Sequence, residues 1–117
     1  MDPRRVFGNR AEKLAEQFLK NTGMNIVARQ YKTKIGEIDL IARDGDEIVF
    51  VEVKARRSST FGYPEESVTQ AKLKKITLVS QQYLKDKQIE DILYRIDVIA
   101  IEMRQGSPVI THIKYAA

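Results

Sequence analysis

Two kinds of hydrophobic spacing occur along this chain, and together they predict an α/β fold. Apolar side chains recur every three or four positions in residues 10–21, which is typical of an amphipathic helix. A second helix with this spacing is predicted to run from a cap at Ser67 or Thr69 to about Lys85. Ser67 and Gln70 also match a capping box. Strands are predicted at residues 24–31, 35–42, 47–54, 94–101 and 109–115.

The predicted order, α-β-β-β-α-β-β, indicates one domain over residues 1–117, with a mixed central sheet flanked by helices. A chain of 117 residues with 43% hydrophobic and 31% charged content suits one core. It contains no cysteine, which excludes disulfides and thiolate metal sites. The N-terminus has no apolar leader and no apolar run is long enough to span a membrane, so we expect a cytoplasmic protein without membrane contact.

Charge is distributed in three blocks. Residues 1–34 contain eight Lys and Arg against three Asp and Glu, and residues 54–75 contain six against two. Between them, residues 35–53 contain one Arg against six acids. The basic blocks suit a polyanion, which the acidic block would repel unless a cation lay between them. The alternative is that each block is only a solvated face.

The acidic block contains EIDLIARDGDEIVFVEVK, residues 37–54, which is predicted to form a hairpin around an Asp-Gly turn. A turn at residues 44–45 sets Glu37 opposite Glu52, and a turn at 45–46 sets Asp39 opposite Glu52. Either two-residue turn places Glu37, Asp39, Glu52 and Lys54 on one face. A three-residue loop would move Asp39 to the other face unless a bulge restored the alternation.

Charge at this end of the hairpin is compatible with metal chemistry. Two close carboxylates repel each other, so one keeps a proton unless a cation is present. Asp39 and Glu52, joined by the main-chain carbonyl of Val53, offer the oxygen ligands that Mg²⁺ prefers, and Lys54 can hold a water or a phosphate oxygen. The alternative is a structural salt-bridge cluster of Lys54 with the two acids.

An Asp followed thirteen residues later by Glu-x-Lys resembles the PD-(D/E)xK nuclease superfamily, although Ile38 replaces its Pro. More of the chain resembles the bacterial YraN-like family, through GNRAEKLAEQFLKNTG, GEIDLIARDGDEIVFVEVKARRSSTFGYPEESVTQAK and RIDVIAI. These resemblances imply a restriction-endonuclease-like αβββαβ core. They imply a Mg²⁺- or Mn²⁺-dependent endonuclease that acts on DNA, with branched or structured DNA as a candidate substrate.

The resemblance assigns roles to individual residues. It implies that Asp39 and Glu52 bind metal and that Lys54 positions or polarises the attacking water. Similarity to Holliday-junction resolvases implies that Glu12 approaches the metal and that the protein forms a homodimer. Glu12 is otherwise an ordinary glutamate in the first turn of its helix, which the helix dipole favours. Gln70 resembles a polar residue that some members place beside the site, as an alternative to its capping role.

The remaining assignments are less specific. Glu37 is either an alternative metal ligand, a residue that supports the metal ligands from behind, or a partner for a nearby arginine. Four basic residues are predicted to bind DNA phosphates without reading sequence: Lys32, Lys34, Arg56 and Arg57. Phe61 and Tyr63 either stack on an unpaired base or fold onto the core. Lys72, Lys74 and Lys75 either extend the basic track or form a solvated helix face.

Three functions therefore compete. The first is a metal-dependent endonuclease. The second is a nucleic-acid-binding module that keeps the nuclease fold with little or no turnover. The third is a small protein-interaction domain whose charges are structural. His112 is predicted to be neither a catalytic base nor a zinc ligand, because no partner ligand lies near it in the sequence.

Overall fold

A computed structural model describes residues 3–57 and 67–117, with side chains from residue 6 onward. Phe61 and Tyr63 lie outside the described residues. The sequence predicts a loop over residues 55–66, but its first two residues belong to a strand, and residues 58–66 lie outside the described part of the chain. The helices and strands are α1 (Pro3–Asn21), β1 (Asn25–Lys32), β2 (Glu37–Asp44), β3 (Glu47–Arg56), α2 (Gln70–Asp86), β4 (Tyr94–Arg104) and β5 (Ser107–Ile113). No helix in the described parts of the chain is long and apolar enough to cross a membrane.

The strands form one sheet in the order β1-β2-β3-β4-β5. Neighbouring strands are antiparallel except for β3 and β4, which are parallel and are connected through α2. A parallel pair requires such a crossover, because a tight turn can join only strands that run in opposite directions. The mixed sheet and the αβββαβ order confirm the predicted restriction-endonuclease-like core, to which β5 adds an antiparallel edge strand.

The sheet is covered on both faces, which explains the continuous apolar runs in its central strands. On one face, Ala15 and Leu19 of α1 pack against a buried cluster that includes Leu40 and Val51. On the other, the apolar side of α2 packs against a cluster that includes Phe50. The charged ends of β2 and β3 therefore lie where two helices and the sheet meet.

Several element boundaries differ from those predicted. Helix α1 begins at Pro3 rather than residue 10, so Glu12 lies in its middle and not in its first turn. Gly8 is inside this helix, where glycine costs only about 1 kcal/mol relative to alanine. Lys32 and Lys34 are predicted to bound a short basic turn after the first strand, but Lys32 is the last residue of strand β1. Thr69, not Ser67, caps α2, since its hydroxyl accepts a hydrogen bond from the Lys72 amide; the predicted capping box is therefore wrong.

The last hairpin was also only partly predicted. Strand β4 extends to Arg104 and β5 begins at Ser107, so the two strands are joined by a turn at Gln105 and Gly106. Both turn residues have positive φ, 50° and 80°, which matches the twist of the tight hairpin turns that strands prefer.

Candidate active site

The hairpin register brings Asp39 next to the second acidic strand. Residues 44 and 47 pair across the turn, and the ladder continues to Leu40 opposite Val51. The turn therefore consists of residues 45–46, which is the second of the two predicted registers. Continued one step beyond Leu40, this register would set Asp39 opposite Glu52, and the two carboxyl groups are close enough to interact electrostatically.

The regular pairing of β2 with β3 ends just before the acidic residues. The ladder between β2 and β3 ends at Leu40–Val51, and beyond it the Asp39 carboxylate accepts a hydrogen bond of 2.7 Å from the Val53 amide. Simple alternation is also interrupted, because Ile38 packs beneath α2 whereas Leu40 packs beneath α1. The prediction that all four charges lie on one face is therefore too simple. Asp39 lies in the space between β2 and β3 beyond their last paired residues, Leu40 and Val51. We call this space, bounded by Asp39 and Glu52, the acidic gap.

Asp39 is the middle member of a row of three carboxyl groups, the carboxyl row, with Glu12 on one side and Glu52 on the other. Burial, the charge of Glu52 and the nearby Glu12 together raise the pKa of Asp39 to about 8, against the opposing effect of the hydrogen bond from the Val53 amide. Burial also raises the pKa of Glu52, although Lys54 and a hydrogen bond with Asp39 lower it. At neutral pH these carboxyl groups therefore share a proton unless a cation replaces it.

Lys54 lies on the α2 side of the same gap. Its ammonium is 3.7 Å from the Glu52 carboxylate, with side-chain exposures of 29% and 16% respectively. This ion pair is longer than a good charge-assisted hydrogen bond, so Lys54 retains donors for another group. The predicted salt bridge between Lys54 and Glu52 exists, but it does not extend to Asp39 among the ion pairs of the described residues.

Main-chain geometry adds a neutral oxygen to the two acids. The amide and carbonyl of one strand residue point to the same side, so the carbonyl of Val53 faces the gap into which its amide donates to Asp39. In residues 3–57 and 67–117, no three acidic, histidine or cysteine side chains are arranged as ligands of one metal ion. A metal here would therefore depend on Asp39, Glu52 and a main-chain oxygen, which is a chemically suitable set for Mg²⁺ or Mn²⁺.

Helix α1 brings Glu12 to the opposite side of Asp39. The side-chain amide of Gln30 donates a hydrogen bond of 3.0 Å to the Glu12 carboxylate. Gln30 has φ of 49° in the middle of β1, a left-handed conformation that non-glycine residues adopt rarely. Glu12 therefore lies beside Asp39, and its approach to a metal, which the resemblance implies, stays a prediction. Nothing in the sequence around Gln30 signals its left-handed conformation.

A small pocket of about 190 Å³ lies between β3 and α2. It is lined by Gly36, Glu37, Glu52, Lys54, Lys72, Lys75, Ile76 and Val79. Glu37 therefore lies beside the site without contacting Asp39 in any described interaction. Gln70 is exposed at the first position of α2 and is not among these lining residues. Lys72, for which the sequence left open a basic track or a solvated helix face, is among them.

The four predicted DNA-binding residues lie near the same end of the sheet. Lys32 and Lys34 are exposed at and beyond the end of β1, where Lys32 pairs with Glu37. Arg56 ends β3, and the exposed Arg57 lies 5.0 Å above the Phe7 ring of α1. The position of these residues is compatible with backbone phosphate contacts around the acidic gap.

A buried ionic network at the other end of the sheet was not predicted. Arg95, whose side chain is 4% exposed, pairs with Asp97 at 3.0 Å and with Glu47 at 2.6 Å. Burial would raise the pKa of Asp97, but hydrogen bonds from His112, the Tyr115 amide and Arg95 lower it. The signal in the sequence was an Arg and an Asp two residues apart in an apolar strand. The network lies beside the hairpin turn and holds the C-terminal residues.

Comparison with known proteins gives one consistent family. The family described as Uncharacterised protein family UPF0102 matches residues 11–101. A UPF0102 protein of Caldicellulosiruptor saccharolyticus is 39% identical over 107 residues, covering 92% of this chain and 91% of that protein. Similar UPF0102 proteins of Rhodococcus jostii and Geotalea daltonii are each 42% identical and cover 95% and 96% of this chain, and 95% and 89% of their own lengths.

Proposed function

The chain belongs to the Uncharacterised protein family UPF0102, the YraN-like family of the sequence analysis, and from this premise and the acidic gap we propose that it is a metal-dependent endonuclease acting on DNA. The observation that carries the proposal is the convergence of Asp39 and Glu52 with Lys54 at the open end of the central strands. Fold alone would not support a function.

The carboxyl row is costly as a purely structural feature. A carboxyl whose pKa is raised to about 8 is destabilised when ionised, and burying like charges together gives no stability that apolar residues could not supply better. Perturbed acids in a cleft are typical of functional sites. A divalent cation held by Asp39 and Glu52 would remove the repulsion between these carboxylates and would account for the arrangement.

Asp39, Glu52 and the carbonyl of Val53 would hold the cation, and Glu12 would orient Asp39 or a metal-bound water. When bound, such a cation lowers the pKa of water and neutralises phosphate charge. Lys54 then holds the attacking water or a non-bridging phosphate oxygen, where its charge stabilises the transition state. The water oxygen would bond to phosphorus as the bond from phosphorus to one sugar oxygen breaks. The attacking water would lose a proton to solvent, and the departing sugar oxygen would take up a proton from solvent to become a hydroxyl group.

The surrounding basic residues would bind the DNA backbone. Lys32, Lys34, Arg56 and Arg57 surround the gap with positive charge, which favours phosphate contacts and gives little sequence preference. They also offset the repulsion between DNA and the acidic residues. Branched and structured DNA remains the first substrate class to test because of the resemblance to Holliday-junction resolvases, which also leads us to propose a homodimer.

The test is cleavage of linear, flapped and four-way DNA with Mg²⁺ or Mn²⁺. We expect metal-dependent cutting that falls at least about 100-fold in Asp39→Asn, Glu52→Gln and Lys54→Ala. Asp46→Asn, in the exposed hairpin turn, is the matched control and should cut normally.

Absence of cutting by the folded wild-type protein, together with DNA binding that survives Asp39→Asn and Glu52→Gln, would instead support a binding module without turnover. Light scattering of the same sample, with and without DNA, tests the homodimer.

A further inference from the structure

We propose that the pocket between β3 and α2 binds one phosphate of the nucleic-acid backbone, and that Lys72 is its principal ligand together with Lys54. This inference rests on the proposed function and extends it, because it assigns a phosphate site to a helix that the carboxylate and lysine pattern does not include. The pocket has one wall in common with the metal site, since Glu52 lines both.

The first argument is the convergence of amines. Lys54, Lys72 and Lys75 come from two different elements and line one cavity. Lys54 and Lys72 lie close enough for their ammonium groups to repel each other. Amines brought together in this way gain from a shared anion, and a phosphate oxygen can accept hydrogen bonds from both.

The second argument is that Lys72 and Lys75 form no ion pair within 4 Å in the described part of the chain, although Lys72 is near enough to Glu52 to be attracted by its charge. Among the described residues, the only ion pair of the three amines is that of Lys54 with Glu52, at 3.7 Å. Lys72 and Lys75 therefore do not hold α2 against the sheet by ion pairs with any carboxylate in the described part of the chain. Contacts between α2 and the sheet are apolar instead, through side chains such as Ile76 and Val79.

The third argument concerns the position of Lys72 in its helix. Lys72 is in the first turn of α2, which contains no acidic residue. The helix dipole disfavours a cation at this end and favours an anion. The Thr69 hydroxyl satisfies the Lys72 amide, so the turn is well formed despite the unfavourable charge. A bound phosphate explains a lysine that is unfavourable for helix stability, since local rules are most often broken at functional sites.

The size and charge of the cavity fit a single phosphate. About 190 Å³ is enough for one phosphate group with water, and is smaller than the cavities that usually enclose a drug-sized ligand. Glu37 and Glu52 also line the pocket, so a fully ionised phosphomonoester is disfavoured relative to the singly charged phosphodiester of a nucleic-acid strand. The ligand class is therefore a backbone phosphodiester next to the metal site.

The experiment measures binding without cleavage. Fluorescence anisotropy with a labelled four-way DNA junction and a labelled single strand, in Ca²⁺, compares the wild type with Lys72→Gln and Lys74→Gln. Each variant removes one positive charge from the same helix. Lys74 is exposed and does not line the pocket, which makes its variant the matched control. We expect Lys72→Gln to weaken binding about tenfold or more and to reduce the salt slope by about one unit, with an unchanged or slightly higher Tm. Lys74→Gln should change binding by less than about threefold.

Each result has a distinct meaning. Equal binding by Lys72→Gln and Lys74→Gln overturns the phosphate pocket, even if the wild type cleaves DNA and the proposed function stands. A selective loss in Lys72→Gln supports the pocket even if no DNA is cut. Competition by deoxyadenosine monophosphate as strong as that by the oligonucleotide, at equal phosphate concentration, would overturn the backbone assignment in favour of a small phosphate ligand. Failure of the wild type to bind either DNA overturns the inference.

Discussion

Replacement of Asp39 by Asn should stabilise the protein at neutral and alkaline pH. Folding moves the pKa of Asp39 from 3.8 to about 8, so the folded state holds a proton that the unfolded state releases. Stability from this group is therefore complete below the unfolded pKa and is lost as pH rises to the folded one. Four units correspond to a limit of about 5 to 6 kcal/mol, and solvent at this half-buried site reduces the expected effect to about 2 to 3 kcal/mol.

The assay is urea unfolding of wild type and Asp39→Asn between about pH 4 and pH 9. Asn keeps the shape and can still accept the Val53 hydrogen bond, but it cannot ionise. We expect equal free energies of unfolding near pH 4 and an advantage for Asp39→Asn that grows until about pH 8. Asp46→Asn, in the exposed turn, should show no such trend. A variant less stable than wild type at pH 8, or a difference independent of pH, would refute the strained carboxyl row.

Two further predictions concern residues that the sequence did not identify. Gln30→Gly should be about 1 kcal/mol more stable than Gln30→Ala, because glycine tolerates the φ of 49°, and both variants should slow cleavage by releasing Glu12; equal stability in thermal unfolding would contradict the strain. Arg95→Met should lower the free energy of unfolding by about 3 to 5 kcal/mol, because Asp97 is left buried at 0% exposure without its guanidinium; a loss below about 1 kcal/mol in urea unfolding would contradict the network.

Local sequence signals were sufficient for most of the fold. The Asp-Gly pair with alternating apolar residues predicted the β2–β3 hairpin, but it left open which two residues form the turn and whether the loop has two residues or three. Burial of the apolar stripe of α2 was predicted from its helical spacing. Ser67 and Thr69 are both good caps, and the choice between them depends on how α2 docks on the sheet, which the local sequence does not encode.

Tertiary contacts determine the parts of the site that the sequence left open. Gln30 adopts a left-handed conformation in a strand, although nothing in its neighbours requires a glycine-like backbone. Whether Lys72 or Lys74 lines the pocket depends on which side of α2 faces Glu52. His112 was set aside because no partner is near in sequence, yet Asp97 lies 2.7 Å away on the adjacent strand. Each of these contacts joins elements that are distant along the chain.

The most direct test of the account is calorimetric titration of Mg²⁺ and Mn²⁺ into wild type, Asp39→Asn, Glu52→Gln and Asp46→Asn at pH 7.5. The account predicts one binding site per chain in the wild type and in Asp46→Asn, accompanied by proton release as the shared proton leaves Asp39 and Glu52. Binding should be lost in Asp39→Asn and Glu52→Gln. Equal heats of binding in all four proteins, or none in the wild type, would contradict a metal site between these two carboxylates.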